Sequence, residues 1–87
     1  MKQGCTRYAS PLLKTSDNHI LKGYGVELYR GVFSRYFKLD EELESTSWLD
    51  GMIELEEEDH FIVAYHLTPY DCINEQPVDE TQRIRLK

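Results

Sequence analysis

The sequence predicts an α+β fold, in which a small antiparallel β-sheet packs against one main amphipathic helix. Two patterns lead to this prediction. Apolar side chains between residues 25 and 38 recur at helical spacing, and those between residues 52 and 67 alternate with polar ones as in strands. The chain has 87 residues. Because this is an ordinary length for one domain, we expect residues 1–87 to form a single domain.

The predicted helix covers GVELYRGVFSRYFK, residues 25–38. One helical stripe contains the apolar side chains Tyr29, Val32, Phe33, Tyr36 and Phe37. A strand fits less well, because it would place Arg35 on the apolar face between Phe33 and Phe37. Gly31 opposes the helix by about 1 kcal/mol. The spacing nevertheless favours a helix.

The predicted sheet begins with two strands, residues 52–56 and 60–67, joined by an acidic tip. Odd-numbered apolar residues such as Ile53, Leu55 and Tyr65 would face the core, and even-numbered acids such as Glu54 and Glu56 would face solvent. A helix over residues 47–58 is the open alternative, because the apolar residues from 48 to 53 also share a helical face. Both alternatives keep residues 60–67 as a strand.

The two ends of the chain are predicted to differ. Residues 1–18 are polar and contain Pro11, which indicates an irregular N-terminal arm. Residues 81–87, TQRIRLK, alternate apolar and basic side chains. This pattern predicts an edge strand, whose charges discourage pairing with other chains.

Charge is strongly divided along the chain, whose net charge is −6. Residues 1–39 carry seven basic and two acidic side chains, whereas residues 40–59 carry ten acidic side chains and no basic one. Such a concentration of like charge destabilises a compact protein through self-repulsion. A field of this kind would accelerate association with a basic partner.

No motif predicts catalysis, a metal site or a cofactor, so we expect a protein that is not an enzyme. His60 and His66 would lie about 20 Å apart on one strand, too far to share a metal ion. Cys72 has no neighbouring motif that would activate a thiol. Cys5 and Cys72 are expected to be reduced in a cytoplasmic protein, since no signal peptide precedes them. No apolar run approaches the roughly 20 residues that span a bilayer, so no membrane partner is expected.

These observations predict a small acidic protein-binding module. It would act as an inhibitor, immunity-type or anti-defence factor that masks the basic surface of a nuclease or another nucleic-acid-binding protein. The expected partner-binding residues are Asp40, Glu41, Glu42, Glu44, Trp48, Glu54, Glu56, Glu57, Glu58 and Asp59. The alternative is a structural or assembly subunit that associates into a homo-oligomer. Direct binding to nucleic acid is the weaker alternative, because the acidic segment repels phosphates.

Overall fold

The protein is all-β in the computed structural model, which describes residues 4–39 and 46–87. These residues contain no helix, so the prediction of an α+β fold with one main amphipathic helix is wrong. The strands are β1 (Cys5–Ala9), β2 (Leu12–Lys14), β3 (Ile20–Leu21), β4 (Tyr24–Tyr29), β5 (Val32–Lys38), β6 (Thr46–Trp48), β7 (Met52–Glu58), β8 (Phe61–Asp71) and β9 (Gln76–Arg85).

The strands form two mixed sheets. The first sheet has the order β5-β4-β1-β6, and the second has the order β3-β2-β7-β8-β9. β1 pairs in parallel with β6, and β2 pairs in parallel with β7. The other pairs are antiparallel. β1 and β2 also contradict the expected irregular arm over residues 1–18.

Three strands bend from one sheet into the other, so the two sheets are halves of one folded sheet. β1 continues into β2, β3 into β4, and β6 into β7. The hairpin register is unchanged across the first bend, since Ala9 pairs with Gly25 and Leu13 pairs with Leu21. β5, from the first sheet, also contacts β8, from the second sheet. The bent sheet therefore encloses its own core.

The core lies between the two halves. Its main cluster consists of Leu13, Val26, Leu28, Ile53, Leu55, Ala64 and Leu86. Leu86 follows β9, and its N–H donates to the carbonyl of Ala64 at 2.9 Å. The last residues of the chain are therefore anchored in the core.

The predicted helix over residues 25–38 is instead the β4–β5 hairpin. Arg30 and Gly31 form its two-residue turn, with φ angles of 53° and 82°. Positive φ at both central residues is the requirement of a type I′ turn, and Gly31 meets it without steric cost. A residue that weakens a helix is here the residue that reverses the chain.

The alternation of side chains between the two faces shifts by one residue at two places in this hairpin, which explains why its sequence resembles a helical pattern. Val26 and Leu28 face the core from β4, and Phe33 faces Leu28 across the turn. The register then shifts between Glu27 and Leu28, so that Tyr36 rather than Arg35 pairs with Val26. Because a two-residue turn and a bulge each reset a period of two, Phe33 and Tyr36 share the core face three residues apart, whereas Tyr29 and Phe37 lie on the opposite face.

The predicted β7–β8 hairpin is present, and the helix over residues 47–58 is absent. Ile53 and Leu55 are buried, as predicted. The alternation in β8 is wrong by one residue, because Leu55 pairs with Ala64 and Glu54 pairs with Tyr65. Cross-strand partners share a face, so Tyr65 lies on the acidic side of the sheet.

β9 is the edge strand predicted near the C-terminus. It begins at Gln76, earlier than expected, and pairs only with β8 in the described part of the chain. A register shift opposite Pro69 forms a bulge, residues 78–81 of β9, between two stretches that pair with β8. A bulge and basic side chains both hinder pairing of an exposed edge with another strand.

A buried carboxylate joins three strands on the outer face of the first sheet, which is the face turned away from the core. The Glu27 side chain is only 6% exposed. It accepts a hydrogen bond from Arg7 Nε at 3.1 Å and lies 3.4 Å from Arg35 Nε. The two guanidinium groups compensate its charge, as a buried carboxylate requires.

Candidate protein-binding surface

The described partner-binding residues lie in two separate places. Asp40, Glu41, Glu42 and Glu44 lie outside the described residues, between β5 and β6 in the chain. Trp48 ends β6, and the acids from Glu54 to Asp59 occupy β7 and the turn after it. Trp48 therefore lies just before the bend between β6 and β7, whereas Asp59 lies beyond the far end of β7.

Glu54, Glu56 and Glu58 lie on one face of β7 and are paired within the chain. Arg83 Nε lies 3.0 Å from Glu54 Oε1, and the same guanidinium contacts Glu56. Arg85 Nη1 lies 3.8 Å from Glu58 Oε1. Lys14 Nζ, from β2, lies 3.6 Å from Glu54 Oε2. Three acids thus face three bases, and we call this group the charged ladder.

Tyr65 joins the two ends of the charged ladder. The Arg83 guanidinium carbon lies 3.5 Å from the centre of the Tyr65 ring, a cation–π contact. The Tyr65 hydroxyl donates to Glu58. This hydrogen bond favours the neutral phenol and is the main cause of the raised pKa of Tyr65. Since each carboxylate of the ladder has a partner, a binding protein would have to displace that partner.

The hairpin tip, residues 57–61, differs from the ladder. Within the part of the chain that the structure describes, Glu57 and Asp59 make no ion pair. Both are exposed, and so is Phe61, which is 57% exposed. Phe61 pairs with Glu58 and Glu57 pairs with Ile62, so the Phe61 ring and the Glu57 carboxylate lie on opposite faces of the hairpin. The tip therefore presents free carboxylates and an exposed aromatic ring, which provide a charge and an apolar anchor for a partner.

The turn at the tip has an unfavourable backbone conformation. Asp59 and His60 have φ angles of 48° and 71°, and they join Glu58 to Phe61 as a type I′ turn. Asp is a favoured residue at the first position of this turn, but His60 occupies the second position, where Gly is preferred. Left-handed conformations of other residues cost on the order of 1 kcal/mol each and cluster at functional sites.

Replacing the turn by Asn-Gly tests this strain. We expect Asp59→Asn with His60→Gly to raise the free energy of unfolding by about 1 kcal/mol, because both new residues favour positive φ. The midpoint of urea unfolding measures the change. A variant less stable than the wild type would contradict the assigned turn.

A second polar group, which the sequence did not predict, lies where β6 bends into β7. His66 Nε2 donates to the carbonyl of Asp50 at 2.6 Å, and Thr68 Oγ1 donates to Asp50 Oδ2 at 3.0 Å. Cys72 Sγ lies 3.4 Å from the carbonyl of Gly51. These bonds fix the bend. Asp50-Gly51 is a turn signal in the sequence, but nothing there indicates its partners.

No described group of His, Cys, Asp and Glu side chains is arranged to hold a metal ion. A cleft of about 220 Å³ lies beside the ladder, between Lys14, Asn18 and Glu56. Its walls are mostly polar, whereas small-molecule sites are mostly apolar. The cleft is therefore the end of the charged ladder rather than a separate ligand site.

Comparisons with known proteins leave the site to be judged on its geometry. No family model, curated protein or solved structure matches the chain. Among the described residues, no helix is long and apolar enough to cross a membrane.

Proposed function

We propose that this protein is a small protein-binding module whose hairpin tip docks onto the basic surface of a nucleic-acid-binding protein and masks it. One observation carries the proposal. Glu57 and Asp59 lack a cation in the described part of the chain, whereas the neighbouring acids of the charged ladder have one. The exposed Phe61 ring supplies an apolar contact at the same place.

The tip is a better docking element than the ladder for an electrostatic reason. An exposed ion pair contributes up to about 1 kcal/mol, and a partner that separates such a pair loses this contribution again. A carboxylate without an internal partner can bind a basic protein without breaking an ion pair. The tip can therefore attract a basic surface with its full charge.

The acidic character of the tip indicates which other ligands the partner surface binds. Carboxylates and phosphates both pair with arginine and lysine side chains. A basic surface that accepts Glu57 and Asp59 would thus also accept phosphates, and the two ligands would compete. The acids Asp40, Glu41, Glu42 and Glu44 precede β6 and add to the negative field of the molecule. Masking of this kind suits an inhibitor, immunity-type or anti-defence factor.

Affinity capture with competition by DNA tests the proposal. The immobilised protein should retain a basic protein from lysate of its source cells at low salt. Duplex DNA should release that protein, because both ligands occupy one basic surface. The variant Glu57→Lys with Asp59→Asn should reduce capture at least tenfold, a loss of about 1.4 kcal/mol.

The matched control changes the same charges elsewhere. Asp79→Asn with Glu80→Lys removes two exposed acids of β9 and adds one base, as the tip variant does at the hairpin tip. We expect this control to capture the partner as the wild type does. Equal loss in both variants would show that only net charge matters, and capture that DNA does not reverse would refute masking.

A further inference from the structure

The outer face of the first sheet carries most of its cations. The cross-strand row of Arg7, Glu27 and Arg35 crosses the middle of this face, since Glu27 pairs with Arg7 on one side and with Arg35 on the other. Arg30 lies at the adjacent turn. We call Arg7, Arg30, Arg35 and the aromatic residues beside them the basic face.

Exposed aromatic rings lie on both sides of the cationic row. Tyr29 is 45% exposed. It pairs with Cys5, so it lies in the cross-strand row two residues along β1 from the row of Arg7. Trp48 is 67% exposed and is two residues after Arg7, because it pairs with Ala9. Rows two residues apart on a sheet are separated by roughly 6–7 Å. Cations and aromatic rings therefore alternate across the basic face.

The basic face and the hairpin tip are complementary in chemistry. The tip offers Glu57 and Asp59 together with the exposed Phe61 ring, and the face offers arginines between aromatic rings. The two surfaces share no residue, because the tip belongs to the β7–β8 hairpin of the second sheet. One molecule can thus present both surfaces to its neighbours at once.

We propose that the basic face is the docking site for the hairpin tip of a second copy of this chain. The inference rests on the proposed function in one respect, since it uses the same tip as a docking element. Glu57 and Asp59 of one copy pair with Arg30 of the next, whose guanidinium makes no ion pair among the described residues. A basic partner that occupies the tip would therefore release the neighbouring copy.

This contact joins two different surfaces, so it does not close into a two-fold dimer. Head-to-tail contacts leave one tip and one basic face open, and copies can add at both ends. A hairpin tip covers less area than the roughly 1,200 Å² of a standard interface, so the association is weak and concentration-dependent. It also weakens with salt, because the Debye length falls from about 10 Å at 0.1 M to about 3 Å at 1 M.

Two variants with intact turns test the contact. Arg30→Asp reverses a charge of the basic face and keeps the turn favourable, because Asp-Gly is a preferred pair for the type I′ conformation. Glu57→Lys with Asp59→Asn changes the tip. In sedimentation equilibrium at low salt, the mean mass of the wild type should rise continuously with concentration, whereas each variant alone should stay monomeric.

Mixing the two variants gives the decisive result. The first variant retains a native tip and the second retains a native basic face, so an equimolar mixture should form one-to-one dimers and nothing longer. A mixture that stays monomeric would overturn the inference. A wild type that is monomeric at high concentration, or whose mass stops rising at that of a dimer, would also overturn it.

Two further measurements distinguish a second copy of this chain from a different occupant of the basic face. The Arg30→Asp variant should still capture the basic partner, because its tip is unchanged. If the wild type captures the basic partner but never self-associates, the proposed function stands and the inference is refuted. Trp48 is the single tryptophan, so its fluorescence reports on the basic face directly. Quenching by a single-stranded oligonucleotide, with unchanged mass of the wild type, would assign the face to nucleic acid instead.

Discussion

Replacing Gly51 with alanine is expected to lower the free energy of unfolding by about 3 kcal/mol or more, because two unfavourable effects combine. Gly51 has a φ of 77°, a conformation that residues with a Cβ rarely adopt. A Cβ at this position would also overlap the backbone carbonyl of Leu67. Relief would require β7 and β8 to separate at the bend where His66 and Thr68 bind Asp50.

Gly23→Ala is the matched control for this prediction. Gly23 has a φ of 81°, but a Cβ there would meet nothing within 4 Å. This variant therefore measures the cost of the backbone conformation alone, about 1–2 kcal/mol. Urea unfolding of both variants separates the two effects. Equal losses would mean that the chain at Gly51 is not pressed against β8.

Replacing Glu27 with alanine is expected to lower the free energy of unfolding by about 3–5 kcal/mol, the usual effect of removing one partner of a buried ion pair. Arg7 and Arg35 would then face each other across β4 without the carboxylate that separates their charges. Glu27→Gln keeps an oxygen that accepts hydrogen bonds, so it should cost less. Thermal and urea unfolding report both losses.

Glu57→Ala serves as the comparison for Glu27. It removes the same carboxylate from an exposed position, where a substitution usually changes stability by less than about 0.5 kcal/mol. If Glu27→Ala were equally harmless, the outer face of the first sheet would not depend on this carboxylate. The same result would mean that the basic face is held together by other contacts.

The sequence predicted the parts of the fold that depend on local alternation. The β7–β8 hairpin and the edge strand β9 are confirmed, because period-two patterns with chain-breaking residues at their ends mark strands. The helix over residues 25–38 is wrong, because a turn and a bulge reset that period twice in 14 residues. The parallel pairing of β1 with β6 could not be predicted, since no local pattern specifies a distant partner.

In the candidate site, too, the local spacing was predictable and the distant partners were not. The positions of Glu54, Glu56 and Glu58 on one face follow from their spacing, and the structure agrees. Their partners do not follow, because Arg83 reaches Glu54 from a strand that is two places away in the sheet. The sequence predicted one acidic surface, whereas the acids from Glu54 to Asp59 divide into a paired ladder and an unpaired tip.

The sharing of three bent strands by both sheets has a consequence for how the chain folds. Neither sheet can be completed first, since β1 pairs with β6 in one sheet and β2 pairs with β7 in the other. β1 and β2 are one continuous stretch of chain, and so are β6 and β7. The parallel pairs also join segments far apart in sequence, which slows folding. The β4–β5 and β7–β8 hairpins can form early, but their burial must wait for the parallel pairs. We therefore expect one cooperative transition, in which amide protons of both sheets exchange with solvent together.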